Sequence, residues 1–213
     1  MSQKHSNIVG IVDALAAQSW AVTQDFLPAD TIETLVEEAR QLLLAGRFLP
    51  AGVGRGAEHR IRADVRSDQI LWLDENELTP AQSRYRSEIE SLRAELNKEL
   101  FLGLISFESH YAFYPPGAFY RKHVDRFSDS DERVISCSLY LNPDWREEDG
   151  GQLRLYVSDR QVEIFPRAGT LVVFRSDDVP HEVALADRDR FSLTGWFRRR
   201  SPLSQKAGII SIG

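Results

Sequence analysis

Ile8, Ile11, Val12 and Leu15 recur at helical spacing near the start of the chain. Ile32, Leu35, Val36, Ala39 and Leu43 repeat that pattern after Asp30 and Glu33, which have the form of a capping box, and Gly46 supplies a stop. Thr79, Pro80 and Gln82 open a further helix, whose stripe of Tyr85, Ile89, Leu92, Leu96 and Leu100 spans about six turns. Each stripe needs a sheet or another helix to cover it.

From residue 105 the period changes to two. ISFESHYAFY, FYRKHVD, RVISCSLYL, QLRLYV, VEIF, LVVF, HEVAL and RFSLTGWF are short alternating runs, separated by turn residues such as PPG, NPDW and PRAGT. This spacing predicts an antiparallel sandwich or barrel packed by the earlier helices, hence an α+β, mainly β fold. Residues 1–104 read as helical support, 105–198 as the β-barrel core and 199–213 as a tail, all within one domain of 213 residues. Residues 49–68 hold three glycines, many charges and little periodicity, so they read as a long mobile loop or loose hairpin. Gly52, Gly54 and Gly56 match neither the dinucleotide fingerprint nor the phosphate loop.

A net charge of −6 opposes a broad nucleic-acid footprint, and Arg198-Arg199-Arg200 is a local basic run. The apolar stretch Ile8 to Val12 stops at Asp13, and no run approaches the roughly 20 apolar residues of a membrane span. The single cysteine, Cys137, has no intrachain disulfide partner. Together these features lead to the expectation of a reduced, cytoplasmic protein with no nucleic-acid or membrane partner.

His123 and Asp125 stand two apart, where a β-strand would turn both side chains to one face about 7 Å apart, so that they converge on one ion. His-x-Asp is too short to be specific alone. His181, opening another short strand after Pro180, offers a third ligand, although a satisfied core histidine accounts for it equally simply. Two histidines and one carboxylate on one face of an octahedron leave open positions, as in non-haem Fe(II) oxygenases. Beyond an expected hairpin turn at Ala186 to Asp189, Arg190 begins a strand that places Ser192, Thr194 and Trp196 on its own face. A buried guanidinium there would want a carboxylate, and Tyr140, on the face of Ser136 and Ser138, offers a further hydrogen bond.

YPPGAFYRKHVD, RVISCSLYLNPDW, GGQLRLY, PHEV and RFSLTGWF together resemble the prolyl hydroxylase branch of the 2-oxoglutarate and Fe(II)-dependent dioxygenases, particularly the oxygen-sensing type and its bacterial relatives. ILWLD at 70–74 extends a weaker likeness upstream. The resemblance implies a double-stranded β-helix, a jelly-roll or cupin-like barrel. It implies that His123, Asp125 and His181 bind Fe(II), that Arg190 and Tyr140 hold the distal carboxylate of 2-oxoglutarate, and that Tyr114 and Thr194 line that pocket.

Dioxygen would be the second cosubstrate, ascorbate a supporting reductant, and succinate and carbon dioxide the products. The resemblance also implies a proline in a protein loop as target, with elongation factor Tu the target type of the bacterial branch, and places residues 49–68 as a loop closing over the iron entrance. A nucleic-acid demethylase of the superfamily would carry a second arginine at position 196, which is Trp. The alternatives are a small-molecule hydroxylase of the same chemistry, a non-catalytic metal-binding cupin-like barrel, which would need no carboxylate clamp, and a peptide-binding barrel, which would need no metal ligands.

Overall fold

A computed structural model of the chain describes residues 3–54, 60–125 and 132–200, so that Gly56 and most of the expected tail lie outside the described residues. Among the described residues three α-helices, α1 (Gln3–Gln18), α2 (Ala29–Leu44) and α3 (Pro80–Leu100), support eleven strands. The strands are β1 (Trp20–Thr23), β2 (Leu49–Pro50), β3 (Gln69–Trp72), β4 (Leu104–Tyr114), β5 (Tyr120–His123), β6 (Arg133–Tyr140), β7 (Leu153–Val157), β8 (Arg160–Ile164), β9 (Leu171–Arg175), β10 (His181–Val183) and β11 (Arg190–Arg199). They form a major sheet in the order β1-β9-β6-β11-β4-β3-β2 and a minor sheet in the order β5-β10-β7-β8. All their pairings are antiparallel. The two sheets form the double-stranded β-helix expected from the sequence.

Alternation sorts the major sheet into two faces. Phe107, Tyr111 and Phe113 of β4, Ile135, Cys137 and Leu139 of β6, and Phe191, Leu193 and Phe197 of β11 join one core with the apolar stripes of all three helices. The opposite face contributes Ala112, Tyr114, Tyr140, Val172 and Phe174 to a second core, closed by Leu153, Leu155 and Val183 of the minor sheet. Arg190, Ser192 and Thr194 share that second face, so a two-residue period turns them away from the helices and toward the space between the sheets.

Several expectations are corrected. Asp30 does not cap α2: the cap position is Pro28, two residues earlier, and the helix starts at Ala29, leaving Asp30 in its first turn. Its other end is as read, because Gly46 (φ 65°) donates to the Leu43 carbonyl and Arg47 to that of Leu42, closing a Schellman motif. The Thr79–Gln82 capping box forms in full. The first 104 residues are more than helical support, because they add β1 to one edge of the major sheet and β2 and β3 to the other. Ala186 to Asp189 is not a hairpin turn: β10 and β11 belong to different sheets, and the segment crosses between them.

Of the two readings of 49–68, the described limbs 49–54 and 60–68 take the hairpin, paired rather than loose. Leu49 pairs with Ile70, the Ala51 amide donates to the Asp68 carbonyl, and Val53 bridges Arg60. Its return limb pairs with β5 through the Arg121 amide on Val65 and the Ser67 amide on Phe119. Ala51 and Asp68 are buried despite the charged composition. Among the described residues no helix is long and apolar enough to cross a membrane.

Candidate active site

The space between the sheets is a cavity of about 470 Å³ opening to solvent. His123 ends β5 and His181 begins β10, and the two lie directly opposite each other in the ladder. Asp125 lies one residue past Val124, beyond the end of β5, so the chain bend rather than strand alternation carries its carboxylate to the histidines. His123 Nε2 is 3.5 Å from Asp125 Oδ1, and His181 Nε2 is 3.6 Å from Asp125 Oδ2. The three side chains present donor atoms within 4.8 Å of one another.

Hydrogen bonds fix which atoms face inward. His123 Nδ1 lies 2.7 Å from the Arg121 carbonyl and His181 Nδ1 3.0 Å from that of Val179. A carbonyl only accepts, so each Nδ1 carries a proton and each Nε2 is the atom turned toward Asp125. Burial pulls His181 down to about 4, which keeps the ring neutral near pH 7. Burial alone would raise Asp125, but His181 and His123, together with the 2.7 Å hydrogen bond from Ser136 Oγ, hold it well below the usual carboxylate range. Two imidazoles turned inward through Nε2 and one anionic carboxylate fit an Fe(II) ion that keeps open positions.

Tyr120 stacks on the His123 ring at 3.5 Å between centroids, and the Arg66 guanidinium lies 4.2 Å over Tyr120. Arg66 is in turn clamped by both oxygens of buried Asp68, at 2.7 and 2.6 Å. Asp68 and Tyr120 hold this guanidinium above the stacked Tyr120–His123 pair. Burial pushes Tyr120 up to about 12.

At the other end of the cavity, Arg190 is only 2% exposed, and no carboxylate among the described residues pairs with it. Its Nε donates to the Gly151 carbonyl at 2.8 Å, and its guanidinium carbon is 5.1 Å from the rings of both Tyr114 and Tyr140. Tyr140 Oη is buried beside Arg190 and Ser138 with no well-formed hydrogen bond among the described residues, and burial raises its pKa despite both neighbours, so it remains a donor. A buried cation and an orphaned hydroxyl side by side fit a carboxylate ligand. Thr194 is engaged by Ser138 and Ser192 through hydroxyl contacts of 3.1 and 3.2 Å.

Residues 109–198 match the model of the 2OG-Fe(II) oxygenase superfamily. The chain is 46% identical to a Pseudomonas putida prolyl-4-hydroxylase, with a TM-score of 0.83 over 91% of this chain and 99% of that one. It belongs to the prolyl hydroxylase branch of the 2OG-Fe(II) oxygenases. A Trichoplax adhaerens prolyl hydroxylase, solved with a hypoxia inducible factor peptide, superposes with a TM-score of 0.83 at 25% identity, covering 98% of this chain and 95% of that one. A Caenorhabditis elegans hypoxia-inducible factor prolyl hydroxylase is 34% identical over 205 residues, and the chain spans 28% of its length.

Set beside these 2OG-Fe(II) oxygenases, the site gathers His123, Asp125 and His181 at one end of the cavity and Arg190, Tyr140 and Tyr114 at the other, with Thr194 between. Sequence reading gave no site role to Arg66, Asp68, Tyr120 or Ser136, which tertiary structure brings to the triad. Arg66 and Asp68 carried one signal, a charge pair two apart immediately before the ILWLD strand.

Proposed function

We propose that residues 1–213 form a single dioxygenase domain that hydroxylates a prolyl residue of a protein, with elongation factor Tu as the candidate substrate in the cytoplasm. The observation that carries this reading is the pairing of a metal-ligand triad with a buried, uncompensated Arg190 across one cavity. A metal-storing barrel has no use for the second feature. His123 and His181 would hold Fe(II) through Nε2 and Asp125 through its carboxylate, while Arg190 and Tyr140 would hold the distal carboxylate of 2-oxoglutarate, with Tyr114 and Thr194 lining the pocket.

When bound, iron and 2-oxoglutarate supply the oxidative chemistry: one atom of dioxygen enters succinate as carbon dioxide leaves, and the other enters a substrate C–H bond. The chain's own residues position and shield. Arg190 gives a planar two-pronged grip that fixes the cosubstrate's orientation, and the Tyr140 hydroxyl supplies a donor that water cannot reach. The backbone carbonyls of Arg121 and Val179 keep both imidazoles turned inward, and Ser136 orients Asp125. Gly52, Val53 and Val65 of the hairpin arm line the cavity, supporting its role as the wall that closes over the substrate. Ascorbate would serve to return oxidised iron to the ferrous state.

The test is to load the purified protein anaerobically with Fe(II) and 2-oxoglutarate, mix it with cell lysate, admit air, and search by mass spectrometry for prolines gaining one oxygen. Modification confined to protein prolines, and lost with Arg190→Met, is expected. Succinate release without any proline oxidation refutes the substrate class.

A further inference from the structure

His110 belongs to neither ligand set, yet it faces the cavity from β4. It is 3% exposed and sits between two tryptophans, with ring centroids 4.9 Å from Trp72 and 5.5 Å from Trp196. Nδ1 lies 3.1 Å from the Tyr111 carbonyl and must therefore carry the proton. Nε2 is left as an acceptor, and it makes no hydrogen bond among the described residues. Burial and the nearby charge of Arg66 pull the ring down to about 4, so it stays neutral.

Position along the sheet says what this acceptor meets. On the cavity face, Tyr114 lies opposite Arg190, Ala112 opposite Ser192, and His110 opposite Thr194. His110 is thus four residues, about 13 Å, from the rung of the carboxylate clamp. Its outer neighbour Trp72 is 49% exposed, which puts His110 on the side toward the mouth, two rungs along the cavity face from Arg190. The neighbouring Trp196 Nε1–H is buried and has no hydrogen-bond partner among the described residues. One unused acceptor and one unused donor beside each other complement a polypeptide backbone, which offers both a donor and an acceptor in each peptide unit.

The geometry points to His110 as a substrate-reading residue: its Nε2 accepts a backbone N–H of the polypeptide that carries the target proline, while Trp196 Nε1–H donates to a carbonyl of the same segment. This rests on the prolyl hydroxylase reading above. It separates polypeptide substrates from small apolar ones, which would leave both groups unpaired.

The test uses wild type, His110→Leu and His110→Gln with peptides carrying a central proline in randomised flanks, and with the same peptides N-methylated at one position at a time. Hydroxylation is read by mass spectrometry, alongside the 2-oxoglutarate KM and succinate release without peptide. His110→Leu should lose about tenfold in kcat/KM on peptides while its KM for 2-oxoglutarate and its peptide-free turnover stay within about twofold. His110→Gln, which keeps an acceptor, should recover most of the loss. At one backbone position N-methylation should cost wild type about tenfold and cost His110→Leu nothing further. The proposal is overturned if no position shows that coupling, if His110→Leu matches wild type, or if peptide-free turnover falls in parallel. Wild type releasing succinate but oxidising no peptide proline would instead overturn the prolyl hydroxylase reading, and this proposal with it.

Discussion

Gly151 provides a test of how the carboxylate clamp is built. Its φ of +66° suits glycine, and a Cβ there would meet Ala186 Cβ at 2.9 Å, the Trp145 ring at 3.0 Å and Arg190 Cδ at 3.3 Å. The backbone cannot easily retreat, because its amide donates to the Leu185 carbonyl at 2.7 Å and its carbonyl accepts from Arg190 Nε at 2.8 Å. Trp145 is pinned by its own bond to the Gly150 carbonyl, leaving the Arg190 side chain as the part free to shift. Gly169 is the control: its φ is +83°, but nothing lies within 4 Å of an added Cβ.

Alanine at either position costs about 1 to 2 kcal/mol for the left-handed backbone. Gly151→Ala adds about 1 to 3 kcal/mol of overpacking. The extra loss should lower its melting temperature by about 5 °C relative to Gly169→Ala, measured by circular dichroism. A displaced guanidinium should also raise the 2-oxoglutarate concentration needed for half-maximal succinate release by about tenfold, with Gly169→Ala unchanged. If the two variants melt together and need the same cosubstrate concentration, Arg190 is not positioned by contact with Gly151.

Arg190→Met should nearly abolish 2-oxoglutarate binding measured by calorimetry, whereas Arg190→Lys, retaining charge without the planar fork, should mainly weaken it; an unchanged Met variant would move the carboxylate site. Removing one partner of the buried Arg66–Asp68 pair leaves the other uncompensated, so Asp68→Ala should destabilise the fold by about 3 kcal/mol in urea, whereas the solvent-screened Asp64→Ala should leave the urea midpoint unchanged. His110 stays neutral in the folded protein down to about pH 4, whereas the unfolded chain protonates it below about 6.5, so the unfolded state binds more protons in that window. Stability should therefore fall by about 3 kcal/mol from pH 7 to pH 4 on account of this group and be flat above it, and His110→Leu should lose that part of the slope in urea titrations at fixed pH.

The residues themselves declared most of the elements. Thr79-Pro80 with Gln82 marks the start of α3, and the strict alternation of RVISCSLY and RFSLTGWF fixes which side chains share the cavity face, because a period of two leaves no other choice once one face is apolar. Arg190 and Tyr140 were legible as candidates for the same reason, His123, Asp125 and His181 as metal-ligating residue types, and a likeness across several motifs tied them to one chemistry.

Convergence was a different matter. That Asp125 reaches its histidines by a bend past β5, that the segment after Ala186 crosses between sheets, and that the charged hairpin arm buries Asp68 are long-range facts that local periodicity does not encode. Pairing of strands far apart in sequence put Arg66 over Tyr120 and Trp72 beside His110. Sequence alone determined the faces and the chemistry of the side chains on them. The tertiary structure decided which faces meet, because burial of charge and imidazole depends on neighbours supplied from distant strands.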